Sequence, residues 1–238
     1  QTGRCPNECE ECFFQGGRSY LEPLEKNLPN IPSEKQVGHR IVRMNDGNDS
    51  CVDIETVLEV GSHFKHVFYN TTDPSQLDKF SMPVVLTVNP GQKTDNEAYL
   101  IPDEVRNTTP QLMFVRFRTN TWNLGLAEQV ILHYTKKLRD PVPVVMTFMA
   151  YFNGSIPAGH EKHYIRRKRT LNEYMAITTK AWRDVMHMFE DNFLVSSCGK
   201  IEGEKGATKC RYCGVCLREY YATLEHMDLM DNPEEAYI

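Results

Sequence analysis

The sequence predicts an α/β fold built on a parallel sheet. Three observations predict it. Short strand-like runs alternate with segments of helical spacing along most of the chain, which is the pattern of βα units. One run, Val84-Val85-Leu86-Thr87-Val88, reads as a strand buried on both faces. Several strand-like runs end in Asn, a residue that stops strands and lines the ligand-binding end of parallel sheets. A barrel and a doubly wound open sheet both fit this pattern.

The elements follow in order. Residues 21–38 are polar with prolines and read as irregular. Residues 40–44 are strand-like and stop at Asn45-Asp46-Gly47. A short helix is expected over 52–60, a strand over 66–69 and one or two helical turns over 75–80. The strand over 84–88 ends at Asn89-Pro90-Gly91. A strand over 112–118 ends at Thr119-Asn120. Leu124, Ala127, Ile131, Tyr134 and Leu138 share one helical face, predicting a helix over 124–138. A strand over 144–150 closes at Tyr151-Phe152-Asn153-Gly154. Leu171, Tyr174, Ile177, Ala181, Val185 and Met188 predict a long helix over 170–190. A short strand over 193–196 and a helix over 217–230 complete the chain.

The 238 residues allow one large domain or two small ones, with 40% apolar and 25% charged residues, as in soluble globular proteins. A net charge of −5 and a pI near 5.9 give no global attraction to nucleic acid or membrane. No apolar run approaches membrane-spanning length, and no signal peptide is visible. The first residue is Gln1, so residues can be missing ahead of it.

Polar groups at the strand ends are the first candidate site residues. Asn45, Asn70, Asn89 and Asn120 end strands, where ligands sit in parallel sheets; turn formation is the plain alternative for each. Asn45, Asp46 and Asn48 offer acceptors for an ammonium group; the same segment also reads as an ordinary polar turn. Arg116 and Arg118 alternate with Val115 and Phe117, so the two guanidiniums share one face. Buried arginines need anionic partners, from a ligand or from structural carboxylates. Trp122 reads as a packing residue. Tyr151, at a strand end, is a candidate donor of a hydrogen atom or proton.

Seven of the eight cysteines fall in two tight clusters, and Cys51 stands alone. Tight clusters favour metal over disulfides, and hence a reducing cytoplasm. Cys5, Cys9 and Cys12 form C-x3-C-x2-C. Three thiolates on a short loop hold three corners of a cubane cluster and leave one iron open. Zinc or a disulfide framework is the alternative. Cys198, Cys210, Cys213 and Cys216 form C-x11-C-x2-C-x2-C, with glycines that let the loop wrap an ion. Four thiolates close that site around an iron–sulfur cluster or zinc.

The C-x3-C-x2-C loop, followed by Phe13-Phe14, resembles the signature of radical SAM enzymes. The residue before the third cysteine is usually aromatic in that family and is Glu11 here, leaving Phe13 or Phe14 to pack near the cofactor. The resemblance implies a partial (β/α)6 parallel barrel over residues 1–197, with a strand ahead of the cysteine loop. A short cysteine-rich, metal-binding extension over 198–238 would follow. It implies a 4Fe–4S cluster on Cys5, Cys9 and Cys12 whose open iron binds S-adenosylmethionine (SAM). It further implies an electron donor such as a flavodoxin or ferredoxin, and a second 4Fe–4S cluster, or zinc, at the C-terminal cysteines. Asn45, Asp46 and Asn48 fall where such enzymes hold the SAM amino group, although the usual Gly-Gly-Glu is missing. Arg116 and Arg118 would take its carboxylate or an acidic group of the substrate, with Asn89 and Asn120 also on the cofactor side.

Residues 165–169, Ile-Arg-Arg-Lys-Arg, are a basic run that reads as a solvated helix start or as a contact for phosphates. The run points to a nucleotide or nucleic-acid base as substrate; a peptide or protein side chain is the alternative. A non-enzymatic module with two zinc sites is the rival from another class. His63 with His66, and His160 with His163, read as surface or packing residues, and the methionines between Met146 and Met188 as core filler.

Overall fold

A computed structural model describes residues 31–45, 49–89, 100–152, 154–168, 173–198, 200 and 213–230. After a one-turn helix α1 (Glu34–Val37), the chain forms β1 (Val42–Arg43), a 3-10 turn (Ser50–Asp53) and α2 (Ile54–Gly61). Then come β2 (Val67–Thr71), a 3-10 segment (Pro74–Lys79), β3 (Val84–Val88), α3 (Asp103–Asn107), β4 (Leu112–Thr119) and α4 (Leu124–Leu132). The remainder is β5 (Val144–Phe148), a hairpin of β6 (Tyr164–Lys168) and β7 (Glu173–Ile177), α5 (Thr179–His187), β8 (Val195–Cys198) and α6 (Val215–His226).

Six of the strands form one sheet in the order β1-β2-β3-β4-β5-β8, every neighbouring pair parallel. The order never reverses, so each connection returns on the same side. The packing agrees. Val57 of α2, Ala127, Val130 and Ile131 of α4, and Ala181, Trp182 and Val185 of α5 share one core with Tyr69, Leu86, Val115, Phe117, Val144 and Met146. A sheet wound in one direction with its crossover helices on one face curls, and the result is an α/β half-barrel. A doubly wound sheet needs a reversal in strand order and helices on both faces.

The opposite, inner face has its own core. Phe68, Val85, Met113, Phe114 and Val145 pack against Val215, Tyr220 and Leu224 of α6. Phe114 and Tyr220 are fully buried, and burying a side chain such as Phe114 contributes about 2–3 kcal/mol. The expected boundary at 197/198 falls within β8, and α6 docks on the barrel's inner face.

Local chemistry explains the element ends. Asp49, Asp53 and Asp73 cap the turns that follow them through their carboxylates, accepting from Cys51 N, Thr56 N and Ser75 N. Gly61 closes α2 where the Tyr69 ring passes; a Cβ there would overlap the Tyr69 hydroxyl.

Three expectations change. The long helix over 170–190 is instead β7 followed by α5. The helical spacing of Tyr174 and Ile177 is coincidental. Glu173 meets Arg166 at 2.6 Å and Lys168 at 3.5 Å across the hairpin, and Thr178 then caps α5 by accepting from Ala181 N. The basic run over 165–169 is accordingly a strand as far as Lys168, not a helix start. The helix over 124–138 becomes a π-helical turn at His133–Lys137. Strands over 40–44 and 193–196 settle at Val42–Arg43 and Val195–Cys198, and the last helix at Val215–His226. The strand expected ahead of the first cysteines lies outside the described residues.

No helix among the described residues is long and apolar enough to cross a membrane.

Candidate functional site

Side chains alternate between the faces of a strand. The parity that sends Phe68, Val85, Phe114 and Val145 inward continues, toward the carboxyl ends, to Asn70, Thr87, Arg116, Arg118, Thr147, Ser196 and Cys198. The register aligns them in rows. Thr87, Arg116, Val145 and Ser196 are successive partners across four strands, and Arg118, Thr147 and Cys198 across three. The inner face is therefore apolar where α6 covers it and polar at the end where parallel sheets bind ligands.

Arg116 is half-buried, with its guanidinium 5.7 Å from the centroid of the Phe114 ring. Arg118 is 4% exposed. The turn after β4 is tightly tied. Asn123 donates through Nδ2 to Arg118 O at 2.8 Å and accepts from Asn120 N at 2.9 Å, while Asn120 Oδ1 accepts from Trp122 N at 3.0 Å. Asn120 Nδ2, Thr147 Oγ1 and Ser196 Oγ are buried without a hydrogen-bond partner among the described residues. Each such atom costs about 1–3 kcal/mol unless something meets it.

The ends of β1 and β2 differ. Asn45 has φ 53°, the left-handed region that Asn tolerates in turns. Its Nδ2 donates to Asp49 O at 3.3 Å, and its carbonyl accepts from Asn70 Nδ2 at 3.1 Å. Asp49 accepts from Cys51 N at 2.9 Å, from Thr72 N at 2.6 Å and from the Thr72 hydroxyl. Asn45 and Asn70 thus tie the turn together. Asn89 is half-buried at the end of β3. Asp46 and Asn48 lie outside the described residues, as do Cys5, Cys9, Cys12, Phe13 and Phe14.

Three C-terminal cysteines converge on the inner face. Cys198 ends β8, Cys213 precedes the helix-capping Gly214 (φ 69°), and Cys216 lies in the first turn of α6. All three carry free thiols and pack against the inner core. The neighbouring Cys198 thiol holds Cys213 down to about 6, helped by the Val215 N–H and the Arg218 charge. The same neighbour, together with burial, pushes Cys198 up, against the pull of Arg116. A thiolate next to a thiol at a helix amino terminus is the donor chemistry that soft metals take. The fourth cysteine, Cys210, lies outside the described residues. Among those described, no group of three or more His, Cys, Asp or Glu is arranged to hold a metal ion. Lone Cys51 contacts Thr71 Oγ1 at 3.2 Å, and burial pushes its thiol up to about 12.

Tyr151 is 2% exposed and belongs to the helix-side core, its ring 5.1 Å from that of Trp122 and 5.7 Å from that of Tyr164. Trp122 packs as expected, and His160 joins it while contacting Thr121 Oγ1 at 2.8 Å. His66 meets Tyr220 edge-on. The β6–β7 hairpin, inserted after β5, exposes Arg166 and Lys168.

Thr147 and Ser196 escape sequence reasoning because each is a single small hydroxyl. Strand parity with Arg118 and Cys198 was the signal available. Comparison with known proteins finds no matching family model, no matching curated protein and no matching solved structure.

Proposed function

We propose that the chain is a radical SAM enzyme. The observation that carries this reading is the C-x3-C-x2-C run ahead of a parallel half-barrel whose inner face is polar at the carboxyl ends of its strands. Cys5, Cys9 and Cys12 would hold a 4Fe–4S cluster, and Phe13 and Phe14 would pack near it. The chemistry supplied there is one-electron cleavage of SAM to methionine and a 5′-deoxyadenosyl radical for hydrogen abstraction. The chain's own residues orient and enclose. Asn45, with Asp46 and Asn48 close after it in sequence, would take the SAM amino group, and Arg116 and Arg118 would supply positive charge for its carboxylate or for an acidic group of the substrate. Asn89 and Asn120 complete the strand-end set. Cys198, Cys210, Cys213 and Cys216 would hold a second cluster or zinc, a use favoured by the packing of the free thiols of Cys198, Cys213 and Cys216 against one inner core. An electron donor such as a flavodoxin or ferredoxin, and a cytoplasmic setting, follow from that reading.

The exposed basic hairpin favours a nucleotide or nucleic-acid base as substrate. Salt-sensitive binding of oligonucleotides supports that version; its absence favours a peptide or protein substrate. Anaerobic reconstitution tests the whole reading. The protein should turn brown with iron and sulfide, release 5′-deoxyadenosine from SAM when reduced, and lose that release on Cys9→Ala. Colourless protein with about two zinc ions per chain would instead identify a two-site zinc module.

A further inference from the structure

Four side chains gather at the carboxyl ends of β4, β5 and β8 on the inner face, Arg116, Arg118, Thr147 and Ser196, and Asn120 follows just past the end of β4. Each of them can donate a hydrogen bond. Two are guanidiniums, which only donate. Asn120 has its oxygen committed to Trp122 N, which leaves Nδ2 to donate. Thr147 and Ser196 have hydroxyls with no partner among the described residues. Asn120 is 1% exposed and Arg118 4%, and the hydroxyl oxygens of the half-buried Thr147 and Ser196 are themselves buried, so water does not readily serve these groups. Register places Thr147 directly beside Arg118, and Ser196 in the row of Arg116. Asn120 Nδ2 and the Thr147 and Ser196 hydroxyls, buried without partners among the described residues beside two guanidiniums, call for a ligand that brings several acceptor oxygens.

We propose that this group is a seat for an oxyanion of the substrate, a carboxylate or phosphate, held by donors from three adjacent strands. The inference rests on the enzymatic reading above and names the substrate class for it. Asn45, on the SAM side of that reading, lies at the end of β1, three strands from Arg118. The two ends of the site would therefore take different molecules. The substrate's anion sits against β4, β5 and β8, next to the Cys198 thiol.

The hydroxyls give the sharpest test, because a structural hydroxyl and a ligand-binding one behave oppositely. Thr147→Val and Ser196→Ala are compared with the natural chain by calorimetric titration of inorganic phosphate and, separately, of methionine. Melting without ligand is followed in parallel. Phosphate binding should weaken about ten-fold in each variant, the worth of a hydrogen bond to a charged group. Methionine binding should be unchanged. The ligand-free melting temperature should hold or rise, because an unsatisfied buried hydroxyl has gone. Thr147→Ser should keep its phosphate affinity.

Several results overturn the proposal: no phosphate binding by the natural chain, unchanged affinity in both variants, or a lowered melt with affinity kept. Weakened methionine binding with phosphate unaffected would assign the seat to the carboxylate of SAM and overturn it too. If Thr147→Val fails to fold, Ser196→Ala decides alone. Titration needs no turnover, so protein that binds phosphate but takes up no iron sinks the radical reading and leaves the seat standing.

Discussion

Two corners of the same sheet carry polar residues at strand ends, and they differ in where their hydrogen bonds go. At β1 and β2, Asn45, Asp49, Ser50, Asn70 and Thr72 bond one another. At β4, β5 and β8, Asn120, Thr147 and Ser196 keep buried atoms with no protein partner among the described residues. Their thiols differ too. Cys51, in the first corner, is buried and pushed up to about 12, whereas Cys213, beside the second, is held down to about 6. Polarity at a strand end is therefore ambiguous until each donor is followed to its acceptor. The first corner is wiring, and the second is unfinished until something else arrives.

Four experiments can break or sharpen that contrast. The largest effect is in alkylation of metal-free protein at pH 7. Iodoacetamide should modify Cys213 at least roughly a thousand times faster than Cys51, because only the thiolate reacts. Peptide mapping over time reads this out, and equal rates would erase the difference between the corners. Asp49→Ala should cost about 3 kcal/mol in urea unfolding, since it strips buried donors of a charged acceptor. Asn70→Ala should cost about 1–2 kcal/mol by the same measure. Ser196→Ala, in the second corner, should stay within about 0.5 kcal/mol of the natural chain. A large loss there would make that hydroxyl part of the wiring.

The pH dependence of metal-free protein extends the comparison. The Cys51 thiol is raised on folding, so its contribution is full below its ordinary value of 9.0 and lost as pH rises toward about 12. The Cys213 thiol is depressed, so its contribution is present above 9.0 and lost as pH falls through about 6. Melting curves of Cys51→Ser should flatten at the alkaline end, and those of Cys213→Ser at the acid end.

Much of the sheet was legible because strands buried on both faces begin as apolar runs, as at 84–86 and 112–115. The β6–β7 hairpin was not legible. Tyr174, Ile177, Ala181 and Val185 keep helical spacing across what is a strand and then a helix. What holds the strand is its antiparallel pairing with β6, from Tyr164 opposite Ile177 to Lys168 opposite Glu173, which helical spacing does not register. The docking of α6 on the inner face was equally hidden, because Tyr220 finds Phe68 from more than a hundred residues away. At the site, the shared face of Arg116 and Arg118 followed from alternation alone. Which strand-end residues are already satisfied needed three dimensions, since Asn70 and Asn120 look alike until their partners are known.

The placement of α6 has a consequence for how the chain is made. Phe68, Val85 and Phe114 leave the ribosome long before Tyr220 and Leu224, so a nascent half-barrel carries a bare greasy flank until synthesis passes residue 226. Chaperone capture during translation should concentrate in that interval, and a stop codon ahead of α6 should yield a sticky product rather than a smaller soluble domain.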